Sequence, residues 1–154
     1  MFNVLFVCTG NTCRSSMAEI LFKEILRRDN QDHKVKVSST GTSVYTSLPA
    51  SDNAIEAIRE LGFDLTSHRS QKLNIDMLKE ADLILAMTRV HKAHVLEIMP
   101  DAKNKVFTLV EYATNGREGD ISGPYGYDLA TYKRCRDEIK KYLEMVIGSM
   151  GEIF

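Results

Sequence analysis

A chain of 154 residues, 44% hydrophobic and 27% charged, is long enough to bury one proper core, and residues 1–154 are expected to form a single domain. A net charge of −1 excludes the basic footprint of a nucleic-acid or membrane-surface binder, and no stretch approaches the roughly 18 apolar residues of a membrane span. Three cysteines are an odd number for a disulfide framework, and Met1-Phe2-Asn3 lacks a basic region before its short apolar run, so a reducing, cytoplasmic setting is expected.

Val4-Leu5-Phe6-Val7 reads as a buried first strand. Directly after it stands Cys8-Thr9-Gly10-Asn11-Thr12-Cys13-Arg14-Ser15, a thiol, a small-residue loop and an arginine at the mouth of a helix. Met17, Ala18, Leu21, Phe22, Ile25 and Leu26 give that helix its buried stripe up to about Arg28. Val35-Lys36-Val37-Ser38 alternates as a second strand, and residues 40–49 form a loop leading to Ser51, an N-cap for a helix that Gly62 ends. A short helix over residues 72–80 precedes Leu83-Ile84-Leu85-Ala86-Met87, a continuous apolar run suited to a strand buried on both faces. Thr88 caps a helix reaching about Met99, and Pro100 stops it. Val106-Phe107-Thr108-Leu109 is the fourth strand, residues 115–126 are a glycine-rich loop, and a last helix over residues 129–147 places Tyr132, Ile139, Leu143 and Val146 on one side. Strands alternating with helices predict an α/β fold around a parallel sheet.

The segment from Cys8 to Ser15 carries the chemistry. A loop curling between a strand end and a helix start points its N–H groups inward, and such a concavity binds anions. Gly10 tolerates the positive φ that a curl demands, and Asn11 is the next most tolerant residue. Arg14 offers a planar fork for two phosphoryl oxygens, the positive field favours the nucleophilic thiolate of Cys8, and the Ser15 hydroxyl can donate to that sulfur. The plain competitor is a strand-turn-helix joint with a buried cysteine. The loop's position at the carboxyl end of the first strand, where open α/β sheets bind ligands, favours the phosphate site.

Phe6 to Glu19, together with Ser38-Ser39-Thr40-Gly41 and Ala81 to Met87, resembles the low-molecular-weight protein tyrosine phosphatases over essentially the full length. The resemblance implies a three-layer domain with a central four-stranded parallel sheet, helices on both faces and the phosphate loop after strand 1. It also implies a cytoplasmic monomer acting on phosphorylated proteins without cofactor or metal. By the same resemblance, Cys8 attacks phosphorus, Arg14 and the loop from Thr9 to Cys13 hold the oxygens, and a phosphocysteine is hydrolysed by water. Asn11, Ser39 and His68 orient the loop, and Tyr125 walls the cleft. Thr12, where tyrosine-specific members carry a bulkier aliphatic residue, resembles the bacterial protein-arginine phosphatases and tilts the substrate toward phosphoarginine, with phosphotyrosine as the alternative.

One departure matters. The family's general acid is an aspartate directly before Pro-aromatic, but this chain reads Asp120-Ile121-Ser122-Gly123-Pro124-Tyr125, with glycine in that place. Either Asp120 or Asp128 substitutes, or only easily departing groups are handled, or the chain binds phosphate better than it turns it over. Asp128 also suits the N-cap of the last helix. His91 and His94 lack a third partner for a metal site. Cys13 can either trap an oxidised Cys8 as a disulfide or simply pack beneath the loop. An arsenate reductase would need redox cysteines beyond Cys135, which falls on the last helix.

Overall fold

The computed structural model describes residues 1–151. Four parallel strands, β1 (Phe2–Cys8), β2 (Val35–Gly41), β3 (Leu83–Ala86) and β4 (Val106–Thr108), form one sheet in the order β2-β1-β3-β4. The helices are α1 (Arg14–Arg28), α2 (Asp52–Arg59), α3 (Ile75–Glu80), α4 (Arg89–Ile98), α5 (Leu109–Ala113) and α6 (Leu129–Ser149), with a 3-10 turn over Pro100–Asn104. No helix among the described residues is long and apolar enough to cross a membrane.

The two faces of β1 show why three layers form. Val4, Phe6 and Cys8 point into a core shared with α1, α2, α5 and α6, whereas Leu5 and Val7 point into a second core with Leu73, Leu78, Val95 and Ala102. Period-two alternation thus feeds both faces from one apolar run. Phe6 is fully buried and meets Phe22 of α1 edge-on at 5.7 Å between ring centres. Truncating such a ring costs about 3–5 kcal/mol.

The chain leaves β1 for β2 on one side and later returns to β3 on the other, so the strand order reverses at β1 while every strand stays parallel. Ligands bind at such a reversal, outside the carboxyl ends of the strands. Cys8 ends β1 there, paired with Gly41, and Met87 after β3 donates its N–H to Val7 O at 2.9 Å.

Element boundaries differ from expectation in instructive ways. β2 continues through Thr40 and Gly41 because those residues pair with Val7 and Cys8. α3 begins only at Ile75, under an Asn74 cap that accepts from Met77 N, while Lys72 bridges Gly41. β4 stops at Thr108, whose side chain and that of Glu111 form a reciprocal capping box for α5; Leu109 and Val110 therefore belong to a helix. Ser51 does precede α2, but its hydroxyl lies 3.4 Å from Cys13 Sγ and from Tyr132 OH instead of capping. Gly62 at φ 88 closes the turn after α2, as expected.

Candidate active site

Between the end of β1 and the start of α1, only Asn11 occupies the left-handed region, at φ 59. Gly10, expected to take that role, does not; the conformational demand falls one residue later. Asn11 is fully buried and its side chain is the hub of the loop. Its Nδ2 donates to Ser15 Oγ at 2.7 Å and to Ser39 Oγ at 2.9 Å, and its Oδ1 accepts from Gln71 N at 3.0 Å. The His68 ring donates to the Asn11 carbonyl at 2.6 Å, and the Ser39 hydroxyl donates to Glu19 Oε1 at 2.6 Å. Ser15 Oγ, accepting from Asn11, lies 2.8 Å from Cys8 Sγ. Each of these buried polar atoms is satisfied, so the loop is held in one shape.

Gly41 supports the loop from below. A Cβ there would lie 2.4 Å from Thr9 O and 3.1 Å from Asn11 N, both backbone atoms that cannot give way. Gly41→Ala is therefore expected to destabilise the fold by about 2–3 kcal/mol and to widen the loop. Urea unfolding together with phosphate affinity would measure both, and an unchanged midpoint would contradict the packing.

Arg14 opens α1 and turns its guanidinium across the loop mouth. Nη1 donates to Ile121 O at 2.9 Å and Nη2 to Thr9 Oγ1 at 3.5 Å. Gly123 lies against the same guanidinium, where an added Cβ would come within 3.1 Å of both Cζ and Nη2. A cavity of about 470 Å³ spreads from Cys8 and Arg14 between Val44, Tyr45 and Leu48 on one side and Gly123, Pro124 and Tyr125 on the other. Tyr45 and Tyr125 are 94% and 79% exposed at its rim. Tyr45 carries no sequence signal beyond lying in a loop.

Asp120 lies against α4, where Oδ1 accepts from Arg89 N at 2.9 Å and from Arg89 Nε at 3.3 Å. Those hydrogen bonds, led by the backbone N–H, hold its carboxyl below the usual range and keep it ionised. Asp128 caps α6 by accepting from Thr131 N at 3.0 Å. Cys13 packs beneath the loop 3.4 Å from Tyr132 OH, and burial, then that contact, pushes the Tyr132 hydroxyl up to about 12. Cys135 donates to Ser122 O at 3.7 Å from α6, and burial drives its thiol up to about 12; all three cysteines are free.

His91, buried at 5% exposure, is an unanticipated neighbour of the loop. Its Nε2 lies 2.8 Å from Thr9 Oγ1 and its Nδ1 3.0 Å from Thr88 Oγ1, the residue that caps α4. Burial first, and the Arg14 charge second, push the ring down to about 4, so it is neutral. Unfolded histidine takes up its proton near 6.5 and the folded ring only near 4, so stability is full above pH 6.5 and is lost as pH falls toward 4. After allowance for solvent screening the loss is on the order of 2 kcal/mol. Urea unfolding at pH 7 and pH 4.5 is expected to show a smaller difference in His91→Gln than in the parent.

Residues 3–152 match the family model described as low molecular weight phosphotyrosine protein phosphatase. The chain is 41% identical over 144 residues to the protein-arginine-phosphatase of Bacillus subtilis, covering 94% of this chain and 93% of that protein. It is 35% identical to the low molecular weight protein-tyrosine-phosphatase Ptp of Acinetobacter johnsonii, covering 84% of each chain. A solved structure of the YwlE arginine phosphatase with a phosphorylated active-site serine superposes with a TM-score of 0.92 at 36% identity, covering 99% of this chain and 100% of that one. With its fold, its loop and nearly its whole length matched in this way, the chain belongs to the low molecular weight phosphotyrosine protein phosphatase family.

Proposed function

We propose that this chain hydrolyses phosphoarginine in proteins through a phosphocysteine intermediate, in a reducing, cytoplasmic compartment and as a monomer. The observation that carries the reading is the Cys8 sulfur, set 2.8 Å from the Ser15 hydroxyl in a loop that Arg14 overhangs. The Cys8 thiolate attacks phosphorus in line while Arg14 and the N–H groups from Thr9 to Cys13 hold the oxygens; this positive cradle supplies the charge neutralisation. Ser15 donates to the sulfur when water later releases phosphate. Asn11, Ser39 and His68 keep the cradle in shape, and Tyr125 and Tyr45 flank the entering residue.

Thr12, at the cavity wall, supports phosphoarginine over phosphotyrosine by leaving the rim more open and polar, and a relative named protein-arginine-phosphatase at 41% identity supports it further. Asp120 is assigned to fastening its loop to α4, because Arg89 already occupies its carboxylate. Turnover of matched phosphoarginine and phosphotyrosine peptides tests the assignment. At least about tenfold higher kcat/KM on phosphoarginine is expected, and the reverse preference would move the chain to the tyrosine-specific reading.

Gly123 favours a second reading, a phosphate-binding module with little turnover. Rapid acid quenching of a single turnover separates the two: phosphate bound without any phosphocysteine marks the module.

A further inference from the structure

With glycine at 123 and Asp120 occupied by Arg89, proton delivery to the departing group needs another source. The reversal of strand order at β1 brings one: the loop after β1 and the start of α4 after β3 face each other, and Thr9 meets His91 across that gap at 2.8 Å. Thr9 lines the cavity, and its Oγ1 lies 3.5 Å from the same Arg14 Nη2 that an added Cβ at position 123 would approach to 3.1 Å. The Thr9 hydroxyl and the missing carboxylate thus neighbour one guanidinium nitrogen.

The hydrogen bonds around His91 satisfy either neutral tautomer, and the two differ in where they leave the Thr9 hydroxyl. With the proton on Nδ1, Nδ1–H donates to Thr88 Oγ1 and Nε2 accepts the Thr9 hydroxyl proton; with it on Nε2, the Thr88 hydroxyl donates to Nδ1 and Nε2–H donates to Thr9 Oγ1, which accepts from Arg14 Nη2 in both. In the Nδ1–H tautomer the Thr9 hydroxyl proton is turned toward His91. A proton on Nε2 reverses the link: Nε2–H then donates to Thr9 Oγ1, and the Thr9 hydroxyl proton is free to point at substrate.

We propose that Thr9, driven by His91, is the proton donor to the leaving group in this enzyme, a role that rests on the phosphatase reading. As the S–P bond forms and the bond from phosphorus to the leaving group breaks, the Thr9 hydroxyl proton passes to the departing nitrogen or oxygen. Thr9 Oγ1 takes the Nε2 proton, and His91 ends neutral. When water attacks the phosphocysteine, its proton returns by the same two atoms and the Cys8 thiolate is released. Thr9 is the catalytic residue and His91 the positioning residue behind it.

The charges around His91 tune this relay. Burial first, then Arg14 on α1 and His94 on α4, oppose protonation, and Asp120 on the loop after α5 favours it. The ring of the free enzyme is neutral above about pH 4, and a bound phosphoryl dianion over Arg14 offsets the larger of the two opposing charges, so the relay draws on a protonated state that substrate binding itself promotes. The rate with a poor leaving group therefore falls as pH rises from 5 to 8.

The test compares phenyl phosphate, whose phenolate needs a proton, with 4-nitrophenyl phosphate, whose nitrophenolate departs unaided, in the parent, Thr9→Val, Thr9→Ser and His91→Gln. Thr9→Val and His91→Gln are expected to lose at least about tenfold more on phenyl phosphate than on 4-nitrophenyl phosphate, and Thr9→Ser to recover most of that loss. His91→Gln is also expected to flatten the pH dependence on phenyl phosphate. Equal losses on the two esters, or an unaltered pH profile in His91→Gln, would overturn the relay alone. A parent that forms no phosphocysteine with either ester would overturn the phosphatase reading and the relay with it.

Discussion

Gly123→Asp is expected to raise turnover of phenyl phosphate by about two orders of magnitude, the low end of what a positioned acid contributes. Gly123 does not sit in the left-handed region, so its backbone accepts an L side chain without strain. The new Cβ would meet Arg14 Cζ and Nη2 at 3.1 Å, and the atoms that must give way are the far end of a flexible side chain. Its carboxyl group enters the cavity beside the Thr9 hydroxyl, where it can protonate a leaving group directly. The gain is expected to shrink for 4-nitrophenyl phosphate, and His91→Gln is expected to cost less in the Gly123→Asp background because two donors then share the task. Steady-state kcat with both esters measures these effects. A fall in rate would show that the carboxylate captures Arg14 and withdraws it from phosphate.

Cys8→Ser is expected to lower turnover by at least about 10⁴-fold, since knocking out the nucleophile of a covalent mechanism typically removes most of the catalysis. The loop itself should survive the change. Its shape depends on Asn11, Ser39, Gln71 and His68, none of which bonds the sulfur, so inorganic phosphate should bind within a few-fold of the parent. A serine hydroxyl is a weaker nucleophile and an alkoxide a worse leaving group than a thiolate, so any phosphoserine formed accumulates. Intact-protein mass spectrometry would detect it. Turnover equal to the parent would remove Cys8 from the nucleophile role.

The features legible in the sequence are the local ones. A strand, a thiol loop and a helix within some twenty residues can be read directly, because apolar periodicity and the Cys-to-Arg spacing carry them. Asn11 illustrates the limit: its type hinted at the left-handed turn, but the Gln71 N–H that fixes it lies 60 residues away. Asp120 shows the same limit, because the Arg89 that occupies it is 31 residues upstream. Gly41 reads as the start of a loop, and only the approach of Thr9 O explains why a glycine is needed there. α5 was hidden because Val106 to Val110 is mostly apolar, and the capping box of Thr108 and Glu111 breaks the strand where hydropathy does not. Thr88 was readable as a cap, but its second partner, the His91 ring, becomes visible only when α4 is seen packed against the phosphate loop.

β1 is hydrogen-bonded to a parallel strand on each side, which has a consequence for how the molecule breathes. Amides bonded in the middle of a sheet exchange with solvent mainly through global unfolding, whereas exposed, turn-rich segments exchange through local openings. Val4 to Val7 belong to the first kind. The segment carrying Gly123 and Tyr125, with Gly116 and Gly126 at positive φ near its ends, belongs to the second, tethered at its middle by the Ile121 N–H to Met87 O at 2.8 Å. On warming, this wall of the cavity should therefore loosen well before the strand that presents the thiol. Selectivity between leaving groups and side chains would fade at temperatures where the cysteine can still be phosphorylated.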